Sequence, residues 1–425
     1  MAAGRLMEAL VNNGVKAKML VRDKETSRIT VITNQTSWLK RQWDFVFERL
    51  CIYLRNGFSY KRVFLADIAN TGADITRMEE FRKADVIHLH WVNHGMLSLS
   101  DIERILKSGK RVVWTMHDLW TATGICHYAG TCEAFKTECR SCPVLTPGGK
   151  GRDLSTTIFR RKQKLYASGR ITFVTCSQWL RREAVQSGLM QGQEVVSIPN
   201  AIDTQKFRPA DKTEARHRRG LPTHQTLLLF GSVKVSDERK GFAYLVQACQ
   251  ILAHQHPELR QKLAVVVVGS HVEEVEHQLP FEVWKQGYVA EEQAMAEVYA
   301  AADIYVTPSL EDNLPNTIME AMACGIPCVG FNTGGIPEMI DHEKNGYVAR
   351  YRDAEDLAQG ILYCMEPSRR DDLSREAVRK TQRCWSQQSV AKQYLDVYED
   401  KGFKTDTVKT DTITAEADKD KTDKE

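Results

Sequence analysis

The chain has 425 residues, 42% of them hydrophobic, and a formal net charge of +3. That length holds two or three domains with cores of their own, and so balanced a charge gives no strong preference for nucleic acid. No stretch approaches the roughly 18 apolar residues of a spanning helix, and the start MAAGRLMEAL lacks the apolar region of a signal peptide. A cytoplasmic protein is expected, and the small Lys and Arg surplus permits peripheral contact with the anionic inner face of a membrane.

Residues 3–13 read as a first helix with Leu6, Leu10 and Val11 as its core face, and no strand precedes it. Strand and helix then alternate, with strands expected at 16–21, 85–90, 111–116, 172–175 and 194–198. In the second of these the two-residue period puts His88 and His90 on one face. His88 is read as a core histidine, while His90, Trp91 and Asn93 stand at the strand's mouth, where an aromatic face beside an amide suits a sugar ring. His117 and Asp118 follow the third strand, so His117 sits at a carboxyl end.

Eleven cysteines would be unusual as a disulfide framework in a reducing compartment, and most lie in apolar runs as small hydrophobes. Cys126, Cys132, Cys139 and Cys142 cluster instead in a polar, glycine-rich stretch. Four thiolates suffice for a closed structural zinc site, with His127 able to replace one, but the spacing matches no familiar finger. Metal, disulfides and a set of reduced loop thiols all stay open, the cross-linked versions being favoured because the loop offers little apolar surface.

A second alternation begins with strands at 226–231 and 263–269. Between them, Lys234 to Phe242 carries Arg239 and Lys240 before Gly241, cations that can offset the charge developing on a leaving diphosphate. The most informative segment follows. A short apolar strand at 303–306 leads into a loop with Glu311 and Asp312, then a helix from Pro315 or Asn316 with Glu320 eight residues after Asp312. The next strand, 327–331, ends in Asn332-Thr333-Gly334-Gly335 before a helix with Pro337 and Glu338. Glycines opening a helix expose amides at its positive end, which suits a phosphate.

The acid pair followed one βα unit later by the glycine loop resembles the E-x7-E region of family 4 glycosyltransferases of the GT-B fold. The resemblance implies that Glu320 binds the nucleotide's ribose, with Asn316 on the same helix. It also implies that Asp312 or its neighbour Glu311 lies near the donor sugar, and that Gly334, Gly335 and Glu338 face the donor. Lys240 fits the family's lysine before glycine; Ser232 stands where its arginine is expected, and Arg239 is the substitute. His117 resembles the family's histidine near donor and acceptor. Residues 198–203, with Phe207 and Pro209, are similar to the family's interdomain connection.

The expected architecture is α/β, two Rossmann-like doubly wound domains facing a cleft: 1–198 on the acceptor side, 199–384 for the nucleotide sugar, 385–401 a helix crossing back to the first domain, and 402–425 a disordered tail. Relatives begin with a strand and a glycine turn that this sequence lacks ahead of residue 3. The resemblance implies a retaining, metal-independent transfer of sugar from a nucleotide sugar to a saccharide or lipid-linked saccharide, as in cell-surface polysaccharide synthesis, with no catalytic cofactor and no nucleic acid. The alternatives are a non-catalytic nucleotide-sugar-binding or assembly protein, and another GT-B enzyme such as a sugar-nucleotide epimerase.

Overall fold

The computed structural model describes residues 2–400 apart from 35, 61, 146–152 and 275; the expected tail at 402–425 lies outside the described residues. Its second half is built on six parallel strands: β7 (Thr226–Lys234), β8 (Leu263–Ser270), β9 (Glu282–Gly287), β10 (Ile304–Thr307), β11 (Cys328–Phe331) and β12 (Gly346–Ala349). Six earlier strands, β1 (Met19–Val21), β2 (Val31–Thr33), β3 (Val86–Leu89), β4 (Arg111–Met116), β5 (Ile171–Thr175) and β6 (Glu194–Ser197), belong to the first half.

The order of the second sheet is β12-β11-β10-β7-β8-β9. β7 is followed in sequence by its neighbour on one side, whereas its other neighbour, β10, comes only after β9. Chain direction across the sheet therefore reverses at β7, and the loops leaving β7 and β10 diverge to form a crevice at their carboxyl ends. The run Leu-Ala-Val-Val-Val-Val of β8 is buried throughout, as a central parallel strand covered by helices on both faces requires. Two apolar clusters, one on each face of this sheet, make the core of this half.

The first half has a four-stranded parallel sheet of order β3-β4-β5-β6, while β1 and β2 pair only with each other. Helix α1 (Ala2–Asn12) opens the described chain, and β3 carries no strand on its outer edge among the described residues. Leu6 and Leu10 of α1 are buried, but Val11, expected on the core face, is 42% exposed. The helix Gln387–Tyr398 returns to this half. Its Val390, Ala391, Tyr394 and Val397 pack with Leu6 and Leu10 of α1 against Val113, Val174 and Val196 of the four-stranded sheet.

One element without a counterpart in the sequence reading is α2 (Trp38–Arg55), capped by the Ser37 side chain accepting from the Lys40 amide. Its buried residues are Asp44, Glu48, Arg49 and Ile52. Glu48 accepts from the amides of Ile68 and Ala69, and Arg49 donates to the carbonyls of Val63 and Ala66. The face turned into the protein is thus the charged one, which a search for an inward apolar stripe passes over.

Candidate active site

The loops leaving β7 and β10 meet in the crevice. Lys240 ends the loop after β7, and its ammonium lies 2.6 Å from the Asp312 carboxylate in the loop after β10. Gly241 follows in a left-handed conformation, φ +71°, and a Cβ there would stand 1.8 Å from the Pro308 carbonyl oxygen. Only glycine lets these two loops approach so closely. Arg239 donates to the Glu311 carbonyl and places its guanidinium 5.4 Å from the ring centre of Tyr128, which belongs to the first half of the chain. Burial raises the Glu311 carboxyl above its ordinary value, with Arg239 pulling it back.

The first half meets this loop through Asn313. Its amide donates to the His117 carbonyl at 3.0 Å, and its side-chain oxygen accepts from Ser177 at 2.5 Å. Cations, acids and His117 are thereby gathered around one junction. The His117 ring hydrogen-bonds His90 at 3.0 Å, and burial lowers its pKa to about 4. His90 stacks on His88, whose pKa burial lowers to about 3 and whose two ring nitrogens meet Tyr398 and Thr115. All three imidazoles are neutral at physiological pH. His88, read as a core histidine, is half-buried between Tyr398 and Thr115; Trp91 is 45% exposed, and Asn93 is buried.

Glu320, which the resemblance implies binds the ribose, is engaged within the protein. It is buried, bonded to Arg5 of α1 at 2.7 Å and to the Tyr299 hydroxyl at 2.9 Å. Arg5 also reaches Glu292 at 2.9 Å, while its remaining terminal nitrogen is buried without a partner. Asn316 receives a hydrogen bond from Asn200 of the segment that connects the halves. Neither Arg5 nor Tyr299 was marked by local pattern, since each is brought to Glu320 only by packing between distant segments.

The glycine loop also differs from the expected phosphate cradle. The helix it opens, Ile336–Met339, has four residues and little dipole to offer, and the Gly335 amide donates to the Asp312 carbonyl. A Cβ on Gly334 would stand 1.8 Å from the Asp312 carbonyl oxygen, and one on Gly335 1.9 Å from that of Asn313. These glycines are needed so that the β11 loop can press on the backbone of the acid loop. Glu338 accepts from the amides of Gln178 and Trp179, satisfying the start of the helix Gln178–Val185 in the other half.

The cysteine cluster requires a correction. Cys126, Cys132, Cys139 and Cys142 are free, and no group of three or more His, Cys, Asp or Glu able to hold a metal occurs among the described residues. Burial favours the protonated thiol at three of them, pushing Cys126 up to about 11 and Cys139 up to about 12 and raising Cys142. Packing secures the loop: Ile125, Phe135 and Leu145 are buried in the core of the first half. His127 takes no part in a thiol set. It bridges Asp118 at 2.8 Å and Asp67 at 2.5 Å, which raise its pKa to about 9 against the cost of burial, and Asp67 also pairs with Arg49.

Two family models match the chain: Glycosyltransferase Family 4 over residues 5–206 and Glycosyl transferases group 1 over residues 224–366. The D-inositol 3-phosphate glycosyltransferase 2 of Catenulispora acidiphila is 30% identical over 217 residues, 48% of this chain and 50% of that protein, so the match spans half the relative's length. Among solved structures, a glycosyltransferase from Rickettsia africae superimposes with a TM-score of 0.64 at 15% identity, covering 94% of this chain and 93% of the other. Anabaena HepE in complex with UDP and glucose gives 0.60 at 16% identity, covering 94% and 96%. With a GT-B fold and one model matched by each half, the first half is a Glycosyltransferase Family 4 domain and the second half a Glycosyl transferases group 1 domain.

Proposed function

We propose that this protein transfers a glycosyl group, with retention and without a metal, from a nucleoside-diphosphate sugar to a hydroxyl of a saccharide or lipid-linked saccharide. The observation that carries the reading is the meeting of Lys240, Arg239, Glu311 and Asp312 at the switch point of the second sheet, against the His117–Asn313 contact from the first half. A nucleotide sugar brings two phosphates whose charge grows as the glycosidic bond breaks. Lys240 and Arg239 are the cations placed to offset it. Asp312 holds the ammonium in position and, with Glu311, faces the sugar. His117, neutral at working pH, hydrogen-bonds a sugar hydroxyl and acts as no base. The complex of HepE with UDP and glucose favours a uridine donor.

The test incubates the full chain with radiolabelled UDP- and GDP-sugars and a panel of saccharide and lipid-linked acceptors. Donor-dependent transfer is expected, with the product's anomeric configuration read by NMR. Nucleotide binding with no transfer or donor hydrolysis under any condition would replace the reading by the non-catalytic one, and an altered sugar nucleotide with no acceptor by the epimerase one.

A further inference from the structure

Helix α2 is amphipathic in the reverse sense. Leu39, Trp43, Val46, Phe47, Leu50 and Leu54 recur at three- and four-residue spacing, which places them along one stripe, and they are between 37% and 71% exposed. Trp43 and Phe47 stack on that outer face with ring centres 5.8 Å apart. The opposite side holds the helix through the polar contacts of Glu48 and Arg49 with the 63–69 segment, so the apolar stripe contributes nothing to the core. Six large apolar side chains in one outward row form a patch that monomeric soluble proteins rarely leave in water.

Charge identifies what covers it. Between residues 37 and 65 the acids are Asp44 and Glu48, and both are buried. Lys40, Arg55 and Arg62 of the same segment are exposed, Lys40 paired with Asp44 at 2.5 Å and Arg62 donating to the Pro143 carbonyl at 2.6 Å, so the cations outnumber the exposed acids there. Its surroundings are therefore aromatic, aliphatic and positive. A second copy docking the same face would set these cations against themselves. No helix of the described residues is long and apolar enough to cross a membrane, and α2, about 27 Å long at 1.5 Å per residue, has the length to lie flat on one. We propose that the outer face of α2 docks in the interface of an anionic bilayer, its aromatic and aliphatic side chains at the level of the headgroups and its cations on the lipid phosphates. The proposal does not rest on the transferase reading, because partitioning needs neither donor nor turnover.

The test is flotation of the full chain with vesicles of phosphatidylcholine alone or mixed with phosphatidylglycerol. Binding is expected to the anionic vesicles, weakening as salt is raised. The combined variant Trp43→Ser, Leu50→Ser is expected to lose at least about tenfold in partitioning while its thermal melt stays that of the parent. A readout on the unmodified protein guards against a variant that fails to fold: anionic vesicles should slow amide exchange within residues 38–65 and not elsewhere. The proposal is overturned if the parent protein stays unbound with both vesicle types, if protection falls outside that segment, or if the variant instead abolishes a dimer or a complex with an acidic protein without any lipid binding.

Discussion

Two charged clusters stand after parallel strands in the two halves, and they differ in how tightly they are closed. In the second half Lys240 meets Asp312 with both side chains partly open, 25% and 14% exposed. In the first half His127 and Asp118, each 15% exposed, pair with one another, but the cluster closes on Asp67, which is 1% exposed and held by both His127 and Arg49. An ion pair that water still reaches can exchange its partner for a ligand at modest cost, whereas charges already desolvated around one another are lost only at great cost. The first cluster thus suits chemistry and the second holds a loop in shape, although both have the residue types of a site.

The sharpest way to break this comparison is Lys240→Ala. It should lower kcat about a hundred- to a thousandfold, the effect of removing one positioned charge-stabilising donor, with little change in thermal stability. Parent-like turnover would return Lys240 to a solvated loop cation.

His127→Leu should do the opposite, removing on the order of 3 kcal/mol of folding stability by leaving Asp67 and Asp118 without their bridge. The same pairing predicts a pH dependence. With a folded pKa of about 9 above the ordinary 6.5, the imidazolium's contribution is complete below about 6.5 and is lost as pH rises through about 9. Chemical denaturation at a series of pH values should show this loss in the parent and not in the variant.

Glu320→Gln sits between the two clusters. It keeps a partner for Tyr299 but weakens the bond to Arg5, for an expected cost of about 1–3 kcal/mol in stability alongside any loss of nucleotide affinity. Calorimetry of unfolding and of nucleotide binding separates the two. A loss of affinity alone would show that Arg5 releases this carboxylate to the ligand.

The smallest effect belongs to Cys132→Ser, which should change the melting behaviour by less than about 0.5 kcal/mol. A large destabilisation, with zinc retained by the parent and lost by the variant, would restore the cross-linked loop.

Local pattern carried most of the second half. The apolar runs at 226–231, 263–269 and 303–306, each bounded by polar or glycine-rich segments, correspond to β7, β8 and β10, because buried parallel strands must be continuously apolar. Asp312, Lys240 and Gly241 could be picked out because the loops after such strands are where this architecture places ligands. The glycine loop was located from its residues, while its packing was not: the clash a Cβ would make with the carbonyls of Asp312 and Asn313 depends on how the preceding loop folds against it.

What the amino-acid sequence determined by itself was therefore periodicity, the chain order of strands and helices, and the residue types at the carboxyl ends of β7 and β10. Tertiary structure decided which of those residues are already taken. Arg5 closes over Glu320 across more than three hundred residues, His127 is claimed by Asp67 and Asp118, and burial raises the thiols of Cys126, Cys139 and Cys142 above their ordinary value. It also decided that α2 turns its apolar stripe outward. The physical reason is common to all of these: a charge, a thiol or an apolar side chain takes its meaning from the dielectric and the partners around it, and those are supplied by segments that no local window of sequence contains.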